Sequence, residues 1–156
     1  VGIVRISLDF CMKCDIIKLK SVKERGRILM AEHTASQVAK WFLAHNRIEA
    51  AEEGAEYISN LKLQKLLYYA QGCLLGVTGK PLFEVAIVAW QHGPVVESIY
   101  YQYRNNGAKG IPFDEDFDFS QFTDEENALL TEVYHVFGQY SAWKLRNMTH
   151  EEAPWI

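Results

Sequence analysis

Apolar side chains return every three or four positions along most of this chain, and the pattern predicts about five helices with one short strand among them. The first helix runs from Ser36 to about Asn46, capped by Thr34 or Ser36, and places Val38, Trp41, Phe42 and His45 on one face. The polar, Glu-rich stretch from Asn46 to Tyr57 contains Gly54 and predicts a loop. Asn60 caps a second helix from Leu61 to about Leu75, striped by Leu63, Leu66, Leu67, Ala70 and Leu74 and ended by Gly76. A turn follows from Val77 to Pro81. Glu84 to Trp90 (EVAIVAW) is β-branched and bounded by turn residues, which predicts a strand, although a buried helical turn fits the same residues.

Gln91-His92-Gly93-Pro94 breaks the chain, and Pro94 opens a third helix to Asn106 with Gly107 beyond it. Val95, Val96, Ile99, Tyr100 and Tyr103 form its apolar side, while Tyr101 and Arg104 project elsewhere. Lys109 to Phe122 alternates Phe with Asp and reads as an irregular loop pinned by its rings. Thr123-Asp124-Glu125-Glu126 is a capping box for a helix to about Phe137, with Leu129, Leu130, Val133 and Phe137 inward. Ser141 caps a last short helix to about Met148. The expected fold is mainly α (α+β only through the small strand element), a compact single domain of about five helices.

Composition and charge change this picture at the amino-terminal end. Apolar residues make up 49% of the 156, enough for a core without disulfides, and no apolar run approaches the roughly 18 residues of a membrane span. Residues 1–29 carry seven Lys/Arg against three acids, net +4, and the remainder nine against seventeen, net −8. An acidic body is a poor general binder of nucleic acid, and suits either solubility or a basic partner. Residues 1–29 show no sustained periodicity and read as a non-native or disordered extension, with Met30 as the natural start and KERGR at Lys23–Arg27 encodable as a translated ribosome-binding site. A real basic arm is the alternative. Cys11 and Cys14 form a CxxC, but with Cys73 alone remaining and no His pair in zinc spacing, neither a metal site nor a cofactor is expected. Three cysteines and the lack of a secretory signal point to a cytoplasmic protein.

Three polar, aromatic-rich clusters carry the candidate chemistry. Trp90 and His92 flank a tight turn where a helix start could bind an anion. Tyr100, Tyr101, Tyr103 and Arg104 put interface-type residues on one helix. Trp143, Lys144, Arg146, His150, Glu151, Glu152 and Trp155 crowd the C-terminal segment YSAWKLRNMTHEEAPWI, with Trp143 and Leu145 as core the plainer alternative. His150-Glu151 lacks the second His of a zinc-protease motif, there is no assignable nucleophile and base, and adjacent Glu151 and Glu152 diverge by about 100° on a helix. These residues fit a binding surface better than a catalytic centre.

Several pieces in order then carry a family likeness: Leu61-Lys-Leu-Gln-Lys-Leu-Leu-Tyr-Tyr-Ala-Gln71, Gly79-Lys-Pro-Leu-Phe83, Ala89-Trp90 with His92-Gly-Pro-Val95, Tyr100, Ser141-Ala-Trp143, Thr149-His-Glu-Glu152 and Pro154-Trp155. Over roughly Ser36 to Ile156 the chain resembles the Panacea family, also called the SocA-like or GepA-like antitoxin domain, found in bacterial and phage proteins. The resemblance implies a domain over residues 30–156, with the C-terminus expected to run further. It implies an antitoxin that silences a cognate protein toxin, encoded by an adjacent gene, through direct contact. It supplies no catalytic residues. The partner-binding candidates are Trp90, His92, Tyr100, Arg104, Trp143, Lys144, Arg146, His150, Glu151 and Trp155. The alternatives are a phage-associated accessory protein, a small enzyme using the pocket around His92 and His150, and, less supported, an operator-binding regulator, for which no basic recognition helix stands out.

Overall fold

In the computed structural model, which describes residues 31–151, five helices and one two-stranded ribbon follow one another. They are α1 (Ala35–Glu53), α2 (Asn60–Thr78), β1 (Val88–Trp90), β2 (Gly93–Val95), α3 (Glu97–Tyr103), α4 (Asp124–Gly138) and α5 (Ala142–His150), with 3₁₀ turns at Arg104–Asn106 and Phe119–Gln121. The fold is mainly α with a small strand element. The basic extension 1–29, the Cys11–Cys14 motif and Trp155 lie outside the described residues. No helix among the described residues is long and apolar enough to cross a membrane.

Helix α2 organises the rest. Thirteen of its nineteen residues are buried, on every side of the helix and not only along the leucine stripe. A helix apolar all round belongs in the middle of a fold, and α2 packs against α1, α3, α4, α5 and β2. Tyr69 stacks flat on Phe137 of α4 at 3.9 Å and 8°. The polar residues of α2 are buried too, so each must find a partner. Asn60 Nδ2 donates to Tyr100 O (3.0 Å), and Gln64 Nε2 donates to Asn60 Oδ1 (3.0 Å) while Gln64 Oε1 accepts from Val96 N (2.9 Å). Gln71 Oε1 accepts from both Leu82 N (2.8 Å) and Phe83 N (3.2 Å), and its Nε2 donates to Phe83 O (2.6 Å).

Several boundaries differ from those the sequence predicts. Helix α1 continues through RIEAAEE to Glu53, because no breaker intervenes before Gly54, which closes the helix at φ +71. Its Thr34 forms a full capping box with Gln37. Ser59, not Asn60, caps α2, and the helix passes through Gly76 to end at Gly79, φ +75. The strand expected over Glu84–Trp90 shrinks to Val88–Trp90, the three residues that find partners in the short β2. Pro94 does not open a helix: it sits in β2, paired with Ala89, and α3 starts at Glu97. At Thr123 only half of the capping box forms. The Thr123 hydroxyl accepts from Glu126 N (3.1 Å), but the Glu126 carboxylate turns to His33.

The acidic loop before α4 is held by its rings and by α1. Phe113 and Phe122 are buried, with Phe117 and Phe119 packed against the core. Asn127 Nδ2 donates to Phe119 O and Phe122 O, while its Oδ1 accepts from Trp41 Nε1 at 2.9 Å. Replacing Gln71 with Ala strands three backbone groups beneath the 82–83 segment, each costing about 1–3 kcal/mol when buried unpaired. Urea unfolding of Gln71→Ala is therefore expected to show a loss of roughly 3 kcal/mol, far more than the same change at exposed Gln102.

Candidate functional site

The hairpin β1–β2 joins the predicted candidates into two adjoining clusters. Its register pairs Val88 with Val95, Ala89 with Pro94 and Trp90 with Gly93, so Gln91 and His92 form the turn at its tip. Gly93 has φ +104, and a Cβ there would meet Lys65 Cε and Thr149 Oγ1 at 2.9 Å each. Only glycine fits a backbone in that conformation lying this close to two side chains. The hairpin is thereby seated on α2 and α5.

Trp90 anchors the first cluster. Its ring meets Tyr100 at 4.8 Å and Tyr101 at 6.2 Å, and Arg104 Cζ lies 5.7 Å from the Tyr101 ring. Tyr101 is 53% exposed and stands between Trp90 and Arg104. It belongs to the cluster although its helical position set it apart from Tyr100 and Tyr103 in the sequence.

His92 begins the second. Its ring lies 5.5 Å from Trp143, and Arg146 Cζ sits 5.2 Å from the same indole. Trp143 is 56% exposed, whereas Leu145 is fully buried, so the alternative that put both in the core holds for Leu145 alone. His150 ties α5 to the hairpin: Nδ1 lies 2.7 Å from Arg146 O and Nε2 lies 3.3 Å from Gln91 O. A neutral imidazole has one N–H and donates to one of these carbonyls. Lys144 and Glu151 are exposed at the two ends of α5, and among the described residues no hydrogen bond or ring contact joins their side chains to either cluster. The helix-start anion site expected at His92–Pro94 is not formed, because the 93–95 backbone belongs to the ribbon and α3 begins only at Glu97.

Beneath the hairpin lies a residue absent from the sequence-based candidates. Lys65 is 0% exposed, and its ammonium donates to Pro94 O at 2.9 Å. Burial, reinforced by the Arg146 charge, pushes its pKa down to about 7. Arg146 Nε is also buried and has no hydrogen-bond partner. Neither cation is paired with a carboxylate among the described residues. A cavity of about 10 Å³ lies elsewhere, lined by His33, Leu74, Thr78, Lys80, Leu82 and Glu126 among others.

Residues 63–156 match the family described as Antitoxin SocA-like, Panacea domain. The chain belongs to this family. The match begins inside α2 and takes in the hairpin, α3, α4 and α5, hence both clusters. Antitoxin SocA of Caulobacter vibrioides (strain NA1000 / CB15N) is 48% identical over 54 residues, which cover 35% of this chain and 29% of that protein. The matched part thus spans under a third of the curated relative's length. No solved structure matches the chain.

The lowered pKa of Lys65 in this SocA-like domain has a pH signature. Between about pH 7 and 10.5 the unfolded chain holds a proton on Lys65 that the folded chain has released, so folding stability rises with pH across this window. Below it both states are protonated and the contribution to the slope vanishes. Denaturation of wild type and Lys65→Met from pH 7 to 10 is expected to show a steeper upward slope in the wild type.

Proposed function

We propose that this protein is a non-enzymatic antitoxin that neutralises a protein toxin by direct contact through the face centred on the β1–β2 hairpin. The observation that carries the reading is the placement of Trp143, an exposed indole that meets both the His92 ring and the Arg146 guanidinium. Exposed Trp, Tyr and Arg side chains are the residue types that dominate binding energy at protein interfaces. Trp90, Tyr100, Tyr101 and Arg104 extend this face along α3. Trp155 is assigned to the same face as an expectation from the sequence. The chemistry of the face favours a partner that offers an apolar socket for Trp143 and a carboxylate for Arg146. The chain's overall negative charge, −4, does not oppose this, because exposed charges more than about 8 Å away are largely screened at physiological salt.

Family membership and the partial likeness to Antitoxin SocA support the antitoxin class. The toxin is expected among the products of adjacent genes. Co-expression with each neighbour tests this directly: one neighbour should arrest growth alone and become harmless together with this protein. If no neighbour is toxic, the reading fails.

Within such a pair, Trp143→Ala and Arg146→Ala should each weaken toxin binding by about 30-fold or more, the scale of a 2 kcal/mol hot spot. Because Trp143 is largely exposed, its truncation opens no core cavity. The melting temperature of Trp143→Ala should therefore stay close to that of the wild type. Loss of neutralisation with matching loss of stability would assign the residue to the fold instead.

A further inference from the structure

Where α1 packs against α4, three side chains with metal-ligating atoms converge. His45 and Glu49 lie one turn apart on α1, and His135 reaches them from α4. His45 Nε2 is 3.6 Å from Glu49 Oε1, His135 Nε2 is 3.9 Å from the same oxygen, and the three ligand atoms all lie within 4.8 Å of one another. These separations are too long for hydrogen bonds. In a tetrahedral site with metal–ligand bonds near 2.0–2.1 Å the ligand atoms stand roughly 3.3–3.4 Å apart, so small side-chain rotations close the triangle on one ion.

The state of His45 separates this cluster from an ordinary surface grouping. Its Nε2 is shielded from solvent and has no hydrogen-bond partner. A buried polar nitrogen without a partner is costly and calls for an explanation. The ring is held in place by Trp41, stacked at 5.0 Å and 7°, and by Tyr134 at 4.6 Å. Nε2 is therefore kept pointing at Glu49 and His135, while His135 and Glu49 leave the site open to solvent. The other comparable grouping, Glu32, His33 and Glu126, is already satisfied: His33 bonds Glu126, and Glu32 pairs with Lys80 at 3.1 Å.

We propose that His45, Glu49 and His135 bind one divalent transition ion of the zinc class, with solvent or a further ligand at the fourth position. Two imidazoles and a carboxylate suit zinc or cobalt(II), and not calcium or magnesium, which prefer all-oxygen shells. The ion would cross-link α1 to α4 through the nitrogen that is otherwise left unpaired.

The test uses tag-free full-length protein, titrated with cobalt(II) and followed by its visible absorption, then displaced with zinc and measured by calorimetry. One ion per chain is expected, with the absorption of a four-coordinate nitrogen–oxygen site and a zinc-dependent rise in melting temperature. His135→Ala and Glu49→Gln, both changes at solvent-accessible side chains, should weaken binding at least about tenfold and abolish the thermal shift, with helicity checked by circular dichroism. Absence of saturable binding would overturn the proposal. So would unchanged affinity in both variants, or binding that disappears only with Cys11→Ser or Cys14→Ser, which would assign the ion to those cysteines.

Discussion

Burial of α2 on all sides is the constraint on which the rest of the structure depends. A helix with no solvent face must satisfy every polar side chain it carries inside the protein. Asn60, Gln64, Lys65 and Gln71 do so by bonding main-chain groups of the segments around them, at Tyr100, Val96, Pro94 and residues 82–83. The helix thereby fixes the path of the segment between Leu82 and Tyr100, which carries only the short ribbon and the start of α3. Loss of one amide here orphans backbone groups as well as a contact, and unpaired backbone groups are the expensive part.

The same constraint shapes the candidate binding face. A three-residue ribbon is too short to be stable by itself. It persists because Lys65 holds Pro94 from below, because Gly93 lets the backbone pass close over Lys65 and Thr149, and because His150 reaches Gln91 from α5. Trp90 and His92 are then projected towards α3 and α5 respectively. The aromatic and cationic groups of two helices separated by more than thirty residues become one surface through a two-residue turn.

Electrostatics divides the molecule in a way that net charge conceals. The protein is acidic overall, yet Lys65 and Arg146 lie together under the hairpin with no carboxylate beside them among the described residues. Burial disfavours the charged form of Lys65, the neighbouring Arg146 charge adds to that cost, and together they depress its pKa. Elsewhere, α1 and α4 collect imidazole and carboxylate groups, and the acidic loop is clipped to α1 by Lys40 and Arg47.

The sequence by itself determined the helical class, the approximate place of each helix and most of the core, because apolar spacing and capping residues act locally: Val38, Trp41 and Phe42, the Leu63–Leu74 stripe, and Leu129, Leu130, Val133 and Phe137 are all buried where periodicity placed them. It also carried the family, through short motifs whose order survives without any structure. Only the tertiary structure decided how α1 and α2 end, because helix-compatible residues such as RIEAAEE and Gly76 continue a helix when packing supports it. Only the tertiary structure turned Pro94 from a helix start into a strand residue, where it pairs with Ala89 and its carbonyl accepts from Lys65, twenty-nine positions away. The convergence of His45 and Glu49 with His135 had no signature in spacing, because two of the groups lie on one helix and the third on another. Local propensity is written in neighbouring residues; the pairing of buried polar groups is written in the packing of distant ones.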